Sequence, residues 1–150
     1  MILISHRGNT NGLAPDLENS PDYIDRAIEH GYDVEMDVRW IDGKLYLGHD
    51  EPQYEVTLEW LWDRRKSLWV HTKNYEALCR LIVTDLRIFY HQKENHTIIN
   101  GCNLIWSHEL SEADGRSIIP LLSEEDINRQ PVPTNVYGIC SDFVDLLRTR

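Results

Sequence analysis

Short apolar runs recur along the chain and are separated by segments with helical spacing. The runs fall at 2–5, 33–39, 68–71, 87–90, 103–107, 117–122 and 136–141. A tight turn at Asp42-Gly43 sends the chain back as another short strand at 44–48. Apolar positions three and four residues apart predict helices that begin after Ser20, Thr57 and Asn74, residue types that cap helix N-termini. Strands that alternate with helices favour parallel βαβ units.

Helical patterns are weaker in the second half of the chain. The stretch 124–135, which contains Pro131 and Pro133, predicts mostly loop after a short helical start. With 150 residues the chain is most simply one domain, spanning 1–150. We therefore expect an α/β fold, a compact, trimmed TIM-like (β/α) barrel with about seven strands and reduced helices. A full barrel usually needs about 250 residues, so this one would be shortened or completed by a partner.

Composition narrows the class of protein. The hydrophobic content of 41% is ordinary for a globular domain, and the net charge of −10 argues against binding DNA or RNA through a broad basic face. No apolar run reaches the length of a membrane-spanning helix, so we expect no stable membrane insertion. The first strand begins at Ile2, which predicts that no signal peptide is present. Cys79, Cys102 and Cys140 are widely spaced, which indicates free, buried thiols and a cytoplasmic location.

Charged residues stand in or directly after three of the predicted strands. They are His6 and Arg7 after the first, Glu35 and Asp37 within the second, and His49 after the short return strand. Since side chains alternate along a strand, Glu35 and Asp37 share one face. Adjacent carboxylates repel unless a cation lies between them or one binds a proton, and oxygen ligands suit magnesium or calcium. Such a set can bind a divalent metal and transfer protons on a phosphate ester. The alternative is a strand that turns its polar side chains to solvent.

Several short motifs occur in a fixed order. They are His6-Arg7-Gly8, Glu18-Asn19-Ser20, the segment 27–38, Asp42-Gly43 with His49-Asp50, and the segment 138–142 at the last predicted strand. Their residue types and order resemble the glycerophosphodiester phosphodiesterase family, which belongs to the PLC-like phosphodiesterase TIM-barrel superfamily. The likeness is specific over 2–50, thin over 68–73 and absent over most of 75–135.

The resemblance implies a role for each matching residue. His6 and His49 would be the catalytic acid–base pair. Glu35 and Asp37 would bind a divalent metal ion. Arg7 would bind a phosphate oxygen, for which its planar, bidentate group is suited.

The third strand departs from the family's pattern. Where the family has Glu-x-Lys, this chain has His71-Thr72-Lys73. Lys73 is retained and would bind substrate, whereas His71 replaces a carboxylate ligand, and Glu18 could supply the missing oxygen. The implied cofactor is a divalent metal, magnesium or calcium in the first place and manganese as a further option. A histidine ligand shifts the preference away from calcium and towards magnesium, manganese or zinc.

The expected function is that of a metal-dependent phosphodiesterase, which cleaves a small glycerol-, sugar- or polyol-linked phosphodiester by acid–base catalysis with two histidines. The short gap between His49 and Leu68 leaves little room for the insertion that shapes the substrate pocket in the family. The alcohol group of the substrate can therefore differ from glycerol. One alternative is a non-catalytic module that binds phosphorylated ligands on a degenerate barrel. Another is a lyase that releases a cyclic phosphate. Exposed edges of an incompletely closed barrel would favour a homodimer.

Three more histidines differ in their predicted environments. His91 and His108 follow predicted strands and could line the mouth of the site. His96 falls in a polar stretch, which predicts a solvated loop. The aromatic side chain of Trp106 is expected to pack in the core.

Overall fold

The computed structural model describes residues 1–129 and 131–150, and within them it contains ten strands and five α-helices. The strands are β1 (Ile2–His6), β2 (Asp33–Ile41), β3 (Lys44–Leu47), β4 (Tyr54–Val56), β5 (Leu68–Thr72), β6 (Ile88–Phe89), β7 (His96–Ile99), β8 (Leu104–Ser107), β9 (Ser117–Pro120) and β10 (Gly138–Ser141). The helices are α1 (Pro21–Glu29), α2 (Leu58–Asp63), α3 (Tyr75–Leu81), α4 (Glu124–Arg129) and α5 (Val144–Arg148). A single 3-10 turn, Leu110–Glu112, lies between β8 and β9.

The strands form one curled sheet in which most neighbours are parallel. β1 pairs in parallel with β2 on one side and with β10 on the other. The parallel series continues from β2 to β5 and β6, and from β10 to β9 and β8. β3, β4 and β7 are antiparallel additions. The α/β class predicted from the sequence is therefore confirmed.

The parallel series ends at β6 on one side and at β8 on the other. Strand β7, which pairs with β8, reaches back to β6. Ile88 of β6 forms an isolated bridge with Asn100, the residue that follows β7. The backbone N–H of Asn100 donates to the carbonyl oxygen of Ile88 at 2.8 Å. The sheet therefore curls far enough for β6 to meet the end of β7 at this bridge.

Local sequence explains where the first helices begin. The side chain of Thr57 accepts a hydrogen bond from the backbone N–H of Trp60, and Asn74 accepts one from Ala77. Both residues thus satisfy a backbone donor that the first helical turn leaves free. Ser20 stands at the start of α1 without such a side-chain bond, and Pro21 occupies the first turn. The three predicted helix starts are confirmed.

The outer side of the sheet packs against helices. Val34, Met36 and Val38 of β2 are fully buried in a cluster that also includes residues of α1, α2 and α3. Each such side chain contributes about 1.5–3 kcal/mol when it is removed from water. The intervening residues of β2 must then face the inner side of the curl, because side chains alternate along a strand.

The inner face changes from apolar to polar within two residues on several strands. We call Ile4, Trp69 and Cys140 the apolar layer, because these buried residues belong to one cluster. Two positions further along the chain from each of them stand His6, His71 and Asp142. We call these three the polar layer, and it lies at the carboxyl edge of β1, β5 and β10. Loops after parallel strands meet at this edge, which is where α/β folds place binding sites.

Several features differ from the sequence-based expectations. β4, β7 and α5 were not predicted, since each has five residues or fewer and a weak periodic pattern. His96, predicted to lie in a solvated loop, is in β7 and bonds Ser107 and Glu112, although it remains exposed. The three cysteines are free, as predicted, but Cys79 is exposed and Cys102 only half-buried. The stretch 124–135 does begin with the short helix that was predicted, α4, and Gln130 lies outside the described residues.

None of the helices in the described part of the chain is long and apolar enough to cross a bilayer.

Candidate functional site

Strand register brings the predicted ligands together. Parallel pairing sets His6 beside Glu35 between β1 and β2, and sets Asp37 beside His71 between β2 and β5. Residues that are far apart in the chain therefore meet at one edge of the sheet. Glu35, Asp37 and His71 are all buried, the carboxylates almost completely.

Three of these side chains form a group that could hold a metal ion. His71 Nδ1 lies 3.2 Å from Asp37 Oδ1 and 3.5 Å from Glu35 Oε1. One ligand atom from each residue lies within 4.8 Å of the others, and no second such group occurs among the described residues. Glu35 Oε2 and Asp37 Oδ1 are buried without an aligned hydrogen-bond donor. Buried carboxylate oxygens without donors are costly, so this donor set fits a divalent cation.

Positively charged neighbours compensate the two buried carboxylates of the group. Burial by itself would raise the pKa of Asp37, but His71, Arg7 and Asn19 together hold it well below its usual range. Burial would lower the pKa of His71, yet its contacts with Asp37 and Glu35 raise it to about 9. The imidazolium of His71 is therefore the local counter-ion of the pair, in the position where a metal cation would serve the same purpose.

The ring of His71 is held in one orientation. Its Nε2 lies 3.2 Å from the backbone carbonyl oxygen of His91, and the ring stacks on Phe89 with centroids 4.8 Å apart. A proton on Nε2 can be donated to that carbonyl, which leaves Nδ1 directed at the carboxylates. Metal-binding histidines commonly have this arrangement of one ring nitrogen on a carbonyl and the other on the ion.

His6 is paired with a residue from the other end of the chain. His6 Nδ1 and Asp142 Oδ1 are 2.8 Å apart, and Asn9 donates to the same carboxylate oxygen at 2.7 Å. His6 Nε2 then faces Glu35, whose Oε2 is 3.8 Å away. Burial opposes the charge on His6, but the hydrogen bond to Asp142 and the charge of Glu35 outweigh it and raise the pKa of His6. Such a dyad fixes the imidazole and supports its protonated form.

Arg7 lies between two carboxylates. Its Nε is 3.0 Å from Asp37 Oδ2, and its Nη1 donates to Glu18 Oε2 at 3.1 Å. Its backbone has a φ of 55°, in the left-handed region, which directs the chain sharply away from β1. Charge pairing with Asp37 and Glu35 outweighs burial and raises the pKa of Arg7. The guanidinium is therefore permanently charged at the edge of the site.

The predicted ligand Glu18 occupies a different place from the other three. Its Oε2 accepts from Arg7 and its Oε1 accepts from Asn9 at 2.9 Å. It thus supports Arg7 and Asn9 and is not a member of the Glu35–Asp37–His71 group. Its role as a metal ligand stays a prediction.

Asn19 holds Asp37 in place from both sides. Its side-chain amide donates to Asp37 Oδ2 at 3.0 Å, and its carbonyl oxygen accepts from the backbone N–H of Asp37 at 2.9 Å. Sequence reasoning did not assign a role to Asn9, Asn19 or Asp142. All three stand within the ordered motifs or directly beside them, and this position was the one signal in the sequence that could have identified them as site residues.

The two remaining predicted residues border the site. His49 is partly exposed, and its Nδ1 lies 2.7 Å from Asp50 Oδ1. Lys73 is largely buried, with Nζ 3.8 Å from Asp37 Oδ1. His49 is therefore accessible to substrate and solvent, while Lys73 adds positive charge near the carboxylates.

Two cavities meet at Arg7 and His49, which line both. The smaller has a volume of about 150 Å³, and the larger, about 380 Å³. The smaller cavity is lined by His6, Arg7, Glu35, His49, His71, Phe89, His91, Trp106, His108, Pro120 and Leu122. The larger cavity has mainly polar walls, lined by Arg7, Pro15, Glu18, Asn19, His49, Asp50, Glu51 and Gln53. A ligand that spans the boundary would contact a cation, an imidazole and the metal-binding group at once.

The small cavity also contains residues that were predicted to lie near the site mouth. His91 and His108 stack with ring centroids 4.1 Å apart and line its wall. Trp106 is buried and stacks on Phe89, as expected for a core residue, and also borders the cavity. The cavity therefore has aromatic and imidazole walls opposite the carboxylates.

No protein-family model, curated protein or solved structure matches this chain. The likeness to glycerophosphodiester phosphodiesterases rests on the ordered motifs of the sequence.

Proposed function

We propose that this chain is a metal-dependent phosphodiesterase of the glycerophosphodiester phosphodiesterase type. The observation that carries the proposal is the convergence on one small cavity of His6, Arg7, His49 and the Glu35–Asp37–His71 group. A simple anion-binding site needs cations, but it needs neither an oriented histidine dyad nor a buried carboxylate pair. Those two additions are the components of metal-assisted acid–base chemistry.

The architecture that we propose for this activity is a trimmed TIM-like (β/α) barrel. Seven strands among the described residues run parallel, namely β1, β2, β5, β6, β8, β9 and β10. The contact between Ile88 and Asn100 joins β6, at one end of that series, to the antiparallel strand β7, which pairs with β8 at the other end. His6 and His71 stand at the carboxyl ends of β1 and β5, and Glu35 and Asp37 lie beside them on β2. That edge is the catalytic face of such barrels. Helices after β6 and β8 are absent or reduced to one turn within the described residues, and this accounts for the short chain.

The chain's own residues can perform the steps of phosphodiester cleavage. A divalent cation held by Glu35, Asp37 and His71 would neutralise charge on the phosphodiester as the transition state forms. Arg7 binds a second phosphate oxygen from the boundary between the cavities. Lys73 adds positive charge close to Asp37 and favours binding of the anion. Together these groups hold the phosphate between the two histidines.

Proton transfer is assigned to His6 and His49. His6 accepts or releases a proton at Nε2, because Nδ1 is engaged by Asp142. His49 approaches from the more open side, with Nδ1 next to Asp50 and its other ring nitrogen available to substrate. One histidine removes the proton from the attacking hydroxyl, and the other protonates the leaving alcohol oxygen. The attacking group is either a neighbouring hydroxyl of the substrate or water. Attack by the substrate hydroxyl gives a cyclic phosphate, and attack by water gives hydrolysis.

The substrate that we propose is a small glycerol-, sugar- or polyol-linked phosphodiester. The larger cavity offers exposed carboxylate and amide groups, including Asp50, Glu51 and Gln53, that can hydrogen-bond hydroxyl groups. The small cavity limits the other substituent to a compact group.

Product release from a panel of phosphodiesters tests the proposal. The panel contains bis(p-nitrophenyl) phosphate and several glycerophosphodiesters, each with chelator or with added magnesium, calcium, manganese or zinc. We expect metal-dependent turnover that is lost in Glu35→Gln and retained in His96→Gln, a matched control outside the cavities. Phosphorus NMR of the products separates hydrolysis from release of a cyclic phosphate. A folded protein that binds metal and phosphate esters without turnover would instead be a phospholigand-binding module.

A further inference from the structure

The third side chain of the metal-binding group is a nitrogen donor. Two strands supply the group, with Glu35 and Asp37 from β2 and His71 from β5. His71 Nδ1 is the atom directed at the carboxylates, at 3.2 Å from Asp37 and 3.5 Å from Glu35. The donor set is therefore mixed oxygen and nitrogen, in a pocket from which solvent is largely excluded.

We infer that this site binds Zn²⁺, an ion that accepts imidazole ligands readily, in preference to Ca²⁺ and Mg²⁺. The inference rests on the metal site of the proposed function and specifies which cation that site selects. Imidazole is a good ligand for zinc, iron, copper and nickel, whereas calcium and magnesium prefer carboxylate, carbonyl and water oxygens.

The number of available oxygens argues against calcium. Calcium takes about six to eight oxygen ligands. Asp37 Oδ2 is already close to Arg7 Nε and accepts a hydrogen bond from Asn19. Glu18, the next carboxylate, has both oxygens engaged by Arg7 and Asn9. Glu35 and Asp37 together carry four carboxylate oxygens, and because Asp37 Oδ2 is already engaged, at most three remain, which is fewer than a calcium cage takes.

The surroundings of His71 favour ligation through Nδ1. The His91 carbonyl oxygen lies 3.2 Å from Nε2, and Phe89 stacks against the ring face at an interplanar angle of 10°. Outer contacts of this kind orient a ligating imidazole and increase its affinity for metal. Three protein ligands with room for an exogenous oxygen are also the composition of many catalytic zinc sites, and the small cavity supplies that room.

Calorimetric titration with each metal ion alone tests the selectivity without substrate. For the intact chain we expect Zn²⁺ to bind at least roughly tenfold tighter than Mg²⁺ or Ca²⁺. His71→Glu replaces the nitrogen donor by a carboxylate, so it should weaken zinc binding, strengthen calcium binding and reduce that ratio. His96→Gln is the matched control, because His96 and Glu112 form a surface pair, 2.6 Å apart, that could bind zinc adventitiously.

A spectroscopic measurement provides a second readout. Pulsed electron paramagnetic resonance of bound Mn²⁺ should show nitrogen coupling from an imidazole in the intact chain and in His96→Gln. His71→Gln should lose that coupling, and it serves as the second variant if His71→Glu fails to fold by circular dichroism.

The outcomes distinguish this inference from the proposed function. Calcium or magnesium binding as tight as that of zinc, or nitrogen coupling that persists in His71→Gln, would overturn the selectivity and leave a metal site in place. If Glu35→Gln changes the affinity for none of the four ions, the group is no metal site, and both proposals fail.

Discussion

The apolar layer and the polar layer of the inner face are adjacent but have opposite physical properties. Ile4 and Cys140 are buried among hydrocarbon and aromatic groups, and burial raises the pKa of the Cys140 thiol well above its usual value. His6 and Asp142, two residues further on, are largely buried too, but they form a charged network. The comparison shows that this fold gains stability from one layer and concentrates costly, reactive groups in the next.

The largest effect should follow from removing His6 from the polar layer. His6→Ala deletes the proposed proton-transfer group, so we expect the turnover number to fall by about 10²–10⁴-fold in a chain that still folds. The free energy of unfolding should also decrease, because the buried Asp142 carboxylate loses its imidazole partner. Steady-state kinetics and urea unfolding of the same preparation measure both quantities. His96→Gln should keep full turnover, and an active His6→Ala enzyme would remove His6 from the mechanism.

A substitution in the apolar layer should have the reverse effect. Ile4 is fully buried directly before the site on the same strand face. Ile4→Ala leaves a cavity and should reduce the free energy of unfolding by about 2–5 kcal/mol. At a temperature where the variant remains folded, we expect metal affinity to be nearly unchanged. If the free energy of unfolding of Ile4→Ala equals that of the unsubstituted chain, the apolar layer is not the source of stability, and the contrast between the two layers fails.

The dyad of His6 and Asp142 within the polar layer allows a finer test. Asp142→Asn removes the carboxylate that raises the pKa of His6. We expect a lower turnover number and a shift of the His6-dependent limb of the pH–rate profile to lower pH. Asp145→Asn is a nearby control, because Asp145 bonds Tyr32 outside the cavity. A profile that does not shift in Asp142→Asn would contradict the positioning role.

The smallest effect concerns the histidine pair at the cavity wall. Burial first, and then the neighbouring histidines, lower the pKa values of His91 and His108 in the folded chain. Below about pH 6.5 these histidines bind protons more readily in the unfolded chain than in the folded chain. Their protonation therefore favours unfolding, and the free energy of unfolding decreases as the pH falls through that value. The effect is modest, since both rings retain solvent contact.

The double variant His91→Asn/His108→Asn isolates this contribution. It should lose less stability between pH 7.5 and pH 5.5 than the unsubstituted chain does in parallel urea titrations. His6 and His71 act in the opposite direction, because their pKa values are raised in the fold. An identical pH dependence in both proteins would show that the stacked pair does not contribute.

Much of the site could be predicted because its pattern is local. Alternation along β2 places Glu35 and Asp37 on one face and Met36 on the other, and the structure has this arrangement. Helix caps at Thr57 and Asn74 are equally local, since each requires only a side chain three residues from its backbone partner. Short elements such as β7 and α5 escaped prediction, because so few residues carry no clear period.

The partner of His6 was outside the reach of local patterns. Asp142 lies 136 residues away along the chain and meets His6 only because β1 and β10 are neighbours in the sheet. The engagement of Glu18 by Arg7 and Asn9 likewise depends on the path of the loop after β1. Neither contact has a periodic signature.

The sequence by itself determined the α/β class, the strand ends that carry the charged residues, and the common face of Glu35 and Asp37. These features follow from backbone alternation and capping, which act over a few residues. Only the tertiary structure decided that His71, and not Glu18, stands next to the carboxylate pair, that Asp142 holds His6, and that Arg7 and His49 border two cavities. Such relations depend on strand register and on the curl of the sheet, which arise from packing across the whole chain.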